Sequence, residues 1–325
     1  MTHVLVCGGA GYIGAHMAKG LAYAGCKVTV FDNLSTGHRA AMLWGEFVEG
    51  DLLDRIALGE LFATHRFDAV MHFCALSQVS ESARDPYAYY RNNVTGTLNL
   101  LEAMRHAGVD RLVFSSTAAV YGVPMADHVD ESHPTLPINP YGASKLMVER
   151  MLEDAAGAYG LRSAALRYFN AAGADPDGEI GESHAPETHL IPNVLRNALG
   201  LGDGLLIFGD DYSTRDGTCV RDYVHVTDLV AAHLLAMSYL NNHGGAHRFN
   251  LGSGSGYTVM EVIEAARKVT GKPISFSLAP RRAGDPQVLV ADSKRAAEVL
   301  GWRPSYEGMP AIIESAWRWH CNPRY

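Results

Sequence analysis

Short runs of apolar, often β-branched residues alternate with longer stretches of helical periodicity through the first half of the chain. Val4–Cys7, Lys27–Asp32, Ala69–Phe73, Leu112–Ser115 and Ala164–Tyr168 read as strands. Tyr12–Ala24, Arg55–His65, Tyr89–Ala107 and Pro140–Tyr159 read as the helices between them. Strands that stay apolar at consecutive positions are covered on both faces, so this alternation predicts an α/β fold with a doubly wound parallel sheet. The second half changes character. Ala171 to Asp216 is rich in Gly, Pro, Asp and His around one helical pattern at Ile191–Leu199, and Val226–Leu240 is a further helix. Phe249–Leu251 and Ile274–Leu278 read as short strands, and Val259–Thr270, Asp292–Leu300 and Met309–His320 as short helices. The pattern predicts a smaller, discontinuous α/β unit (171–216 and 246–325) over the C-terminal edge of a larger one (1–170, with 217–245 returning to it). Ligands of open α/β sheets bind at that edge.

Composition narrows the class. The chain has 325 residues, 47 % hydrophobic and 19 % charged, as in ordinary globular proteins. No apolar run approaches the roughly 20 residues of a membrane span. The N-terminus enters a strand pattern without a basic, cleavable leader. Five scattered cysteines form no CxxC pair, so neither a disulfide framework nor a structural zinc site is expected, no metal is assigned, and a reducing cytoplasm fits best. A net charge of −8 argues against nucleic acid as partner, while leaving room for a small anionic ligand held by local arginines.

Gly8-Gly9-Ala10-Gly11-Tyr12-Ile13-Gly14 follows the first strand and opens the first helix. Glycines serve there for the sharp turn, for close approach to a pyrophosphate and for packing of helix on strand, while the helix N-terminus offers N–H groups to phosphate. Asp32 ends the second strand about 20 residues later, where a carboxylate accepts hydrogen bonds from the adenosine ribose and repels a 2′-phosphate; NAD is expected rather than NADP. Asp51 suits either adenine recognition or a turn or N-cap role.

A second signal is Asn139-Pro140-Tyr141-Gly142-Ala143-Ser144-Lys145. Asn139 and Pro140 suit the start of a helix, which places Tyr141 and Lys145 on one face, four residues apart. A tyrosine with an ordinary pKa near 10 is a poor base, and a neighbouring ammonium favours its phenolate. Upstream, Phe114-Ser115-Ser116-Thr117 puts hydroxyls at the end of a strand, with Thr117 placed to bond a reacting oxygen.

The glycine turn, the hydroxyl-bearing segment and Tyr-x-x-x-Lys together resemble the extended short-chain dehydrogenase/reductase family, whose nucleotide unit is a Rossmann domain. Within it the chain is most similar to the UDP-galactose 4-epimerases. The similarity is carried by Gly9–Gly14, Asp32-Asn33-Leu34, Tyr90–Gly96, Phe114–Gly122, Tyr141–Glu149, Leu166–Gly173, Phe208–Tyr212, Asp216–His225, Asn250-Leu251-Gly252 and Ala279–Asp285. The resemblance implies reversible oxidation at C4 of UDP-glucose and UDP-galactose through a 4-keto sugar, with NAD held throughout. It makes Tyr141 the base, Lys145 the ribose anchor that tunes it, and Thr117 a support for the sugar oxygen. It extends the cofactor set to Tyr12, Ile13, Asn33, Leu52, Phe73, Asn93 and Tyr168. The UDP-sugar set becomes Asn170, His189, Leu190, Leu206, Phe208, Arg221, Arg282, Asp285 and Leu289. It also implies a homodimer through the Tyr89–Ala107 and Pro140–Tyr159 helices.

Three positions depart from common family patterns. Ser77 stands where many members carry a lysine near the cofactor phosphates, and His189 where several carry an asparagine. Leu289 stands where a tyrosine is associated with excluding N-acetyl sugars, so UDP-N-acetylglucosamine is a second expected substrate. The rivals are a sugar-nucleotide 4,6-dehydratase, a uronate epimerase and a non-catalytic NAD(H) sensor. Dehydratases usually place Asp-Glu after the threonine; this chain has Ala118-Ala119.

Overall fold

The computed structural model describes residues 1–202, 204–282 and 285–325. Its centre is a seven-stranded parallel sheet: β1 (His3–Cys7), β2 (Lys27–Asp32), β3 (Glu46–Glu49), β4 (Ala69–His72), β5 (Arg111–Thr117), β6 (Arg162–Tyr168) and the strand Ala246–Leu251. The spatial order is β3-β2-β1-β4-β5-β6 and then Ala246–Leu251. Val4 pairs with Val28 on one side and with Ala69 on the other, so the chain runs outward in opposite directions from β1 and β4. That reversal opens a crevice at the strands' C-terminal ends.

Strand periodicity sends alternate side chains of β1 into two separate cores. Val4 and Val6 pack with Met17, Leu21, Leu229 and Val230 on one face. Leu5 and Cys7 pack with Leu58, Leu61, Leu100, Met104, Val148 and Leu152 on the other. Helix α1 (Tyr12–Tyr23) and the Val226–Tyr239 helix thus cover one face, while α2 (Arg55–Thr64), Gly96–Ala107 and Pro140–Tyr159 cover the other. A third core joins Ile191, Val194 and Leu195 to Ile207, Val262, Ile263, Ile312 and Ile313. It lies between the helices Leu190–Ala198, Val259–Thr270 and Gly308–Cys321 and the parallel pair Leu205–Phe208/Phe276–Ala279.

Three expectations need correction, and one strand was not foreseen. β3 carries almost no buried apolar surface, because it is an edge strand, and so left no apolar run to find. Ala246–Leu251, expected in the smaller unit, is a full strand of the main sheet paired with β6. Ala296, Leu300 and Trp302 likewise sink into the main core. The helix expected at Tyr89–Ala107 is Pro86–Tyr89, a wide π-type turn at Tyr90–Thr95, and Gly96–Ala107. Such wide turns recur at functional sites.

Candidate active site

The glycine turn sits where β1 meets β4. Gly8 has φ +80°, and a Cβ there would fall 2.6 Å from the Cys74 nitrogen; at Gly14 it would fall 2.1 Å from the Gly8 oxygen. Both glycines are demanded by the protein's own backbone. Gly11 is different: its φ is −82°, and the nearest atom to a Cβ is 3.5 Å away. The fold leaves that space open in front of the N-terminus of α1, which has no side-chain cap and no acidic residue in its first turn. An uncapped helix start with a clear approach fits a pyrophosphate. Tyr12 and Ile13 open that helix, and the Tyr12 hydroxyl donates to the Gly173 carbonyl at 2.7 Å.

Asp32 closes the crevice from β2. Its carboxylate accepts from the Ala10 N–H at 2.9 Å and the Leu34 N–H at 2.8 Å, which fixes the glycine turn and leaves acceptor capacity for a diol. Burial raises its pKa and the two N–H groups oppose that. The Asn33 amide donates to Asp51 at 2.8 Å, and Asp51 accepts the Leu53 N–H, so the pair frames the expected adenine end beside buried Leu52. These residues fit a dinucleotide: α1 for its phosphates, Asp32 for a ribose, Asp51 for the base.

The Pro140–Tyr159 helix begins as expected, with Asn139 accepting the Gly142 N–H at 2.8 Å. Tyr141 and Thr117, from the end of β5, are neighbours; burial raises the Tyr141 pKa and the Thr117 hydroxyl lowers it. Lys145 is buried and donates from Nζ to the Ser115 carbonyl at 2.9 Å. Burial pulls its amine down to about 7, against the pull of Cys74 and Glu149. The amine thus faces the β5 carbonyl from the same helix that carries Tyr141. Asn93, expected to contact the cofactor region, has its side chain bonded within the protein. It accepts from the Leu76 N–H and the Asn92 amide and donates to the Leu76 carbonyl and the Ser144 hydroxyl. All four of its hydrogen-bonding positions are used, so it pins the loop after β4 to the Tyr141 helix. Tyr168 bonds Ser115 beneath the site, and Phe73 lies at the β1/β4 crossing, its ring 4.9 Å from that of His233.

The remaining candidates spread over the second half. The Asn170 amide donates to the Asp222 carbonyl at 2.7 Å. Arg221 pairs with Asp285, while exposed Arg282 stacks 3.9 Å over the Phe208 ring. Leu206 and Phe208 share the less buried face of their strand. Leu289, paired in register with Arg221, packs beside Ala118, Val120 and Tyr121. Ala283 and Gly284, within the matched Ala279–Asp285 stretch, lie outside the described residues. Leu190 starts its helix as expected, but His189 turns back: its Nδ1 lies 2.8 Å from Glu182 and 3.1 Å from Glu187. Two buried carboxylates thus hold the ring that was expected to face the substrate. Ser77 is exposed.

Sequence reasoning missed the supports behind these residues. Glu149, one turn beyond Lys145, accepts from Ser116 Oγ at 2.5 Å and pairs with fully buried Arg167, whose Nη1 reaches the Tyr121 hydroxyl at 3.0 Å. Asp222, fully buried, accepts from the backbone of Ser253, Gly254 and Ala291 and so joins the two halves. Arg167, a charge inside an otherwise apolar strand pattern, was the available signal.

Comparison with known proteins places this geometry. Residues 4–252 match the model of the NAD dependent epimerase/dehydratase family. The UDP-glucose 4-epimerase of Lacticaseibacillus casei is 51 % identical over 320 residues, 98 % of this chain and 97 % of that protein. The crystal structure of UDP-glucose 4-epimerase from Brucella ovis in complex with NAD superposes with a TM-score of 0.95 at 51 % identity, covering 98 % of both chains. The UDP-Glc/GlcNAc 4-epimerase of Campylobacter jejuni superposes at 0.87 with 43 % identity, covering 99 % of each chain. Matches of this length leave one assignment: the chain belongs to the NAD dependent epimerase/dehydratase family.

Proposed function

We propose that this chain interconverts UDP-glucose and UDP-galactose by oxidation and re-reduction at C4 with NAD retained between the two half-reactions. The observation that carries the reading is the uncapped start of α1 with open space at Gly11, together with Thr117 at the end of β5 and Tyr141 in the first turn of its helix. NAD, when bound along that helix start and Asp32, supplies the acceptor and donor of the C4 hydride. Tyr141 takes the proton of the sugar 4-hydroxyl and returns it in the second half-reaction; Thr117 orients that oxygen. Because burial raises the Tyr141 pKa, its phenolate needs positive charge nearby. Lys145, one turn further along the same helix, supplies part of it. Arg221 and Arg282 hold the diphosphate, since an arginine fork matches phosphate oxygens. Asn170, Leu190, Leu206, Phe208 and Asp285 complete the UDP-sugar pocket, while the His189 ring stays with Glu182 and Glu187.

Leu289 lines the sugar end beside Ala118, and its modest size admits a 2-acetamido group, so UDP-N-acetylglucosamine is a second substrate. The division of labour gives a nucleotide unit of residues 1–170 and 217–251 and a UDP-sugar unit of 171–216 and 252–325, the latter anchored in the main core by Ala296, Leu300 and Trp302. A homodimer forms through the Gly96–Ala107 and Pro140–Tyr159 helices, whose Leu98 and Met147 are 45 % and 46 % exposed. Among the described residues no helix is long and apolar enough to cross a membrane. We place the enzyme in the cytoplasm, where UDP-sugars are made.

The test is to incubate the purified protein with UDP-galactose, without added NAD, and to quantify UDP-glucose. Conversion that Tyr141→Phe reduces by about 10²–10⁴-fold, with bound NAD unchanged, supports the reading. No conversion even with NAD supplied overturns it.

A further inference from the structure

Glu182, His184, Glu187 and His189 form a compact cluster just before the Leu190–Ala198 helix. One donor atom from each lies within 4.8 Å of all the others. His189 Nδ1 stands 2.8 Å from a Glu182 oxygen and 3.1 Å from a Glu187 oxygen; His184 Nδ1 stands 3.4 Å and 3.6 Å from the same two carboxylates. The carboxylate side chains are only 6 % and 4 % exposed. Both imidazoles thus point the same nitrogen into one small space between two buried carboxylates.

Without a metal, and despite burial, the two carboxylates would hold both imidazoles protonated, His184 raised to about 9 and His189 to about 10; the geometry leaves room for an ion instead. Four N···O approaches converge, but two Nδ1 atoms carry at most two N–H bonds. His189 uses one, to Glu187. His184 Nδ1 is sealed from solvent and has no hydrogen-bond partner. A buried nitrogen left without a partner calls for a water or an ion. The nearby acidic cluster shows the contrast. Asp175, Asp177 and Glu179 surround Lys19 Nζ at 2.7–2.9 Å, so that site carries its own cation.

We infer that Glu182, His184, Glu187 and His189 form a binding site for one divalent transition-metal ion of the zinc class, which clasps the 182–189 segment. A tetrahedral ion with arms of about 2.0–2.2 Å holds its ligands about 3.3–3.6 Å apart, and the four approaches bracket that spacing. Two carboxylates and two neutral imidazoles balance a 2+ charge, and imidazole with carboxylate suits zinc better than calcium. An entry path exists, because His184 and Glu187 also line a cleft of about 400 Å³. The role is structural. The Trp319 indole donates to the Glu182 carbonyl at 2.9 Å, and Gly181 bonds the Tyr325 hydroxyl, so the ion fastens this loop where the C-terminal helix meets it. The signal in sequence is Glu-x-His-x-x-Glu-x-His, which a search for cysteine spacing passes over.

The experiment uses the untagged, full-length protein stripped with chelator and titrated with Co²⁺ alone, without UDP-sugar, so its outcome is independent of turnover. One equivalent should bind saturably, with the intense visible absorption of four-coordinate cobalt. Zn²⁺ should displace it and raise the melting temperature. His184→Ala and Glu187→Gln should each abolish the absorption and the Zn²⁺-dependent shift while keeping the helical ellipticity and bound NAD of the parent. Absence of a saturable one-equivalent signal in the parent overturns the inference. So does a signal that survives in the His184→Ala/His189→Ala double variant.

Discussion

Gly11→Ala separates the demands of the fold from those of the ligand. A methyl at Gly11 meets nothing nearer than 3.5 Å, and φ of −82° suits any residue. Alanine at this helix N-cap loses about 0.5–1 kcal/mol relative to glycine, and the stiffer unfolded chain returns a similar amount. The cofactor-free variant should therefore melt within a degree or two of the parent. The same methyl projects into the space before the first turn of α1, where the pyrophosphate lies. Displacing it by overpacking costs about 1–3 kcal/mol, or about 5- to 150-fold in NAD affinity. Gly14→Ala is the control. Its methyl falls 2.1 Å from the Gly8 oxygen and 2.8 Å from the Gly9 Cα, all backbone, so the turn itself must shift. That variant should lose roughly 3 kcal/mol or more of stability whether or not NAD is present. Calorimetric titration of stripped protein with NAD, beside melts of both variants, reads the two effects separately. The reasoning fails if Gly11→Ala binds NAD like the parent, or if it melts as early as Gly14→Ala.

Three further outcomes follow from the buried charges and the pocket wall. Burial places the Lys145 pKa at about 7 against an ordinary 10.5, so the unfolded chain binds more protons between those values. Its contribution opposes folding fully below pH about 7 and is relieved towards pH about 10; Lys145→Met should raise the melting temperature of cofactor-free protein most at pH about 6, with the gain shrinking as pH rises. Glu149→Leu, which strands Arg167 in the core, should cost about 3–5 kcal/mol in urea denaturation, and adding Arg167→Met should recover much of it. Leu289→Tyr should cut turnover of UDP-N-acetylglucosamine at least about tenfold while sparing UDP-galactose, measured as parallel initial rates; equal losses on both sugars would contradict its place at the sugar 2-position.

The legible parts were those where one local pattern suffices. Lys27–Asp32 and Pro140–Tyr159 occupy the spans their patterns predict, because a buried strand and a capped amphipathic helix each announce themselves within a few residues. Glu46–Glu49 did not, since an edge strand buries little. Ala246–Leu251 was read only at its apolar end; its first three residues are half-buried, and pairing with β6 is a long-range choice no local pattern encodes. Of the site, Tyr141 beside Thr117 and the glycine turn were visible. Their orientation was not. That Lys145 faces Ser115 and that Asn93 spends every hydrogen bond on Leu76, Asn92 and Ser144 depend on how two loops meet the helix. Glu149–Arg167 and Asp222 escaped notice because a buried ion pair becomes recognisable only once both partners are in place.

The most direct test of the central claim is the fate of the hydrogen at C4. UDP-galactose carrying deuterium at C4 should be converted in ordinary water to UDP-glucose that keeps the label at C4, because the hydride leaves and returns within one closed site. Mass spectrometry and proton NMR of the product read this directly. Product that has lost the label to solvent, or carries it elsewhere on the ring, would contradict the account.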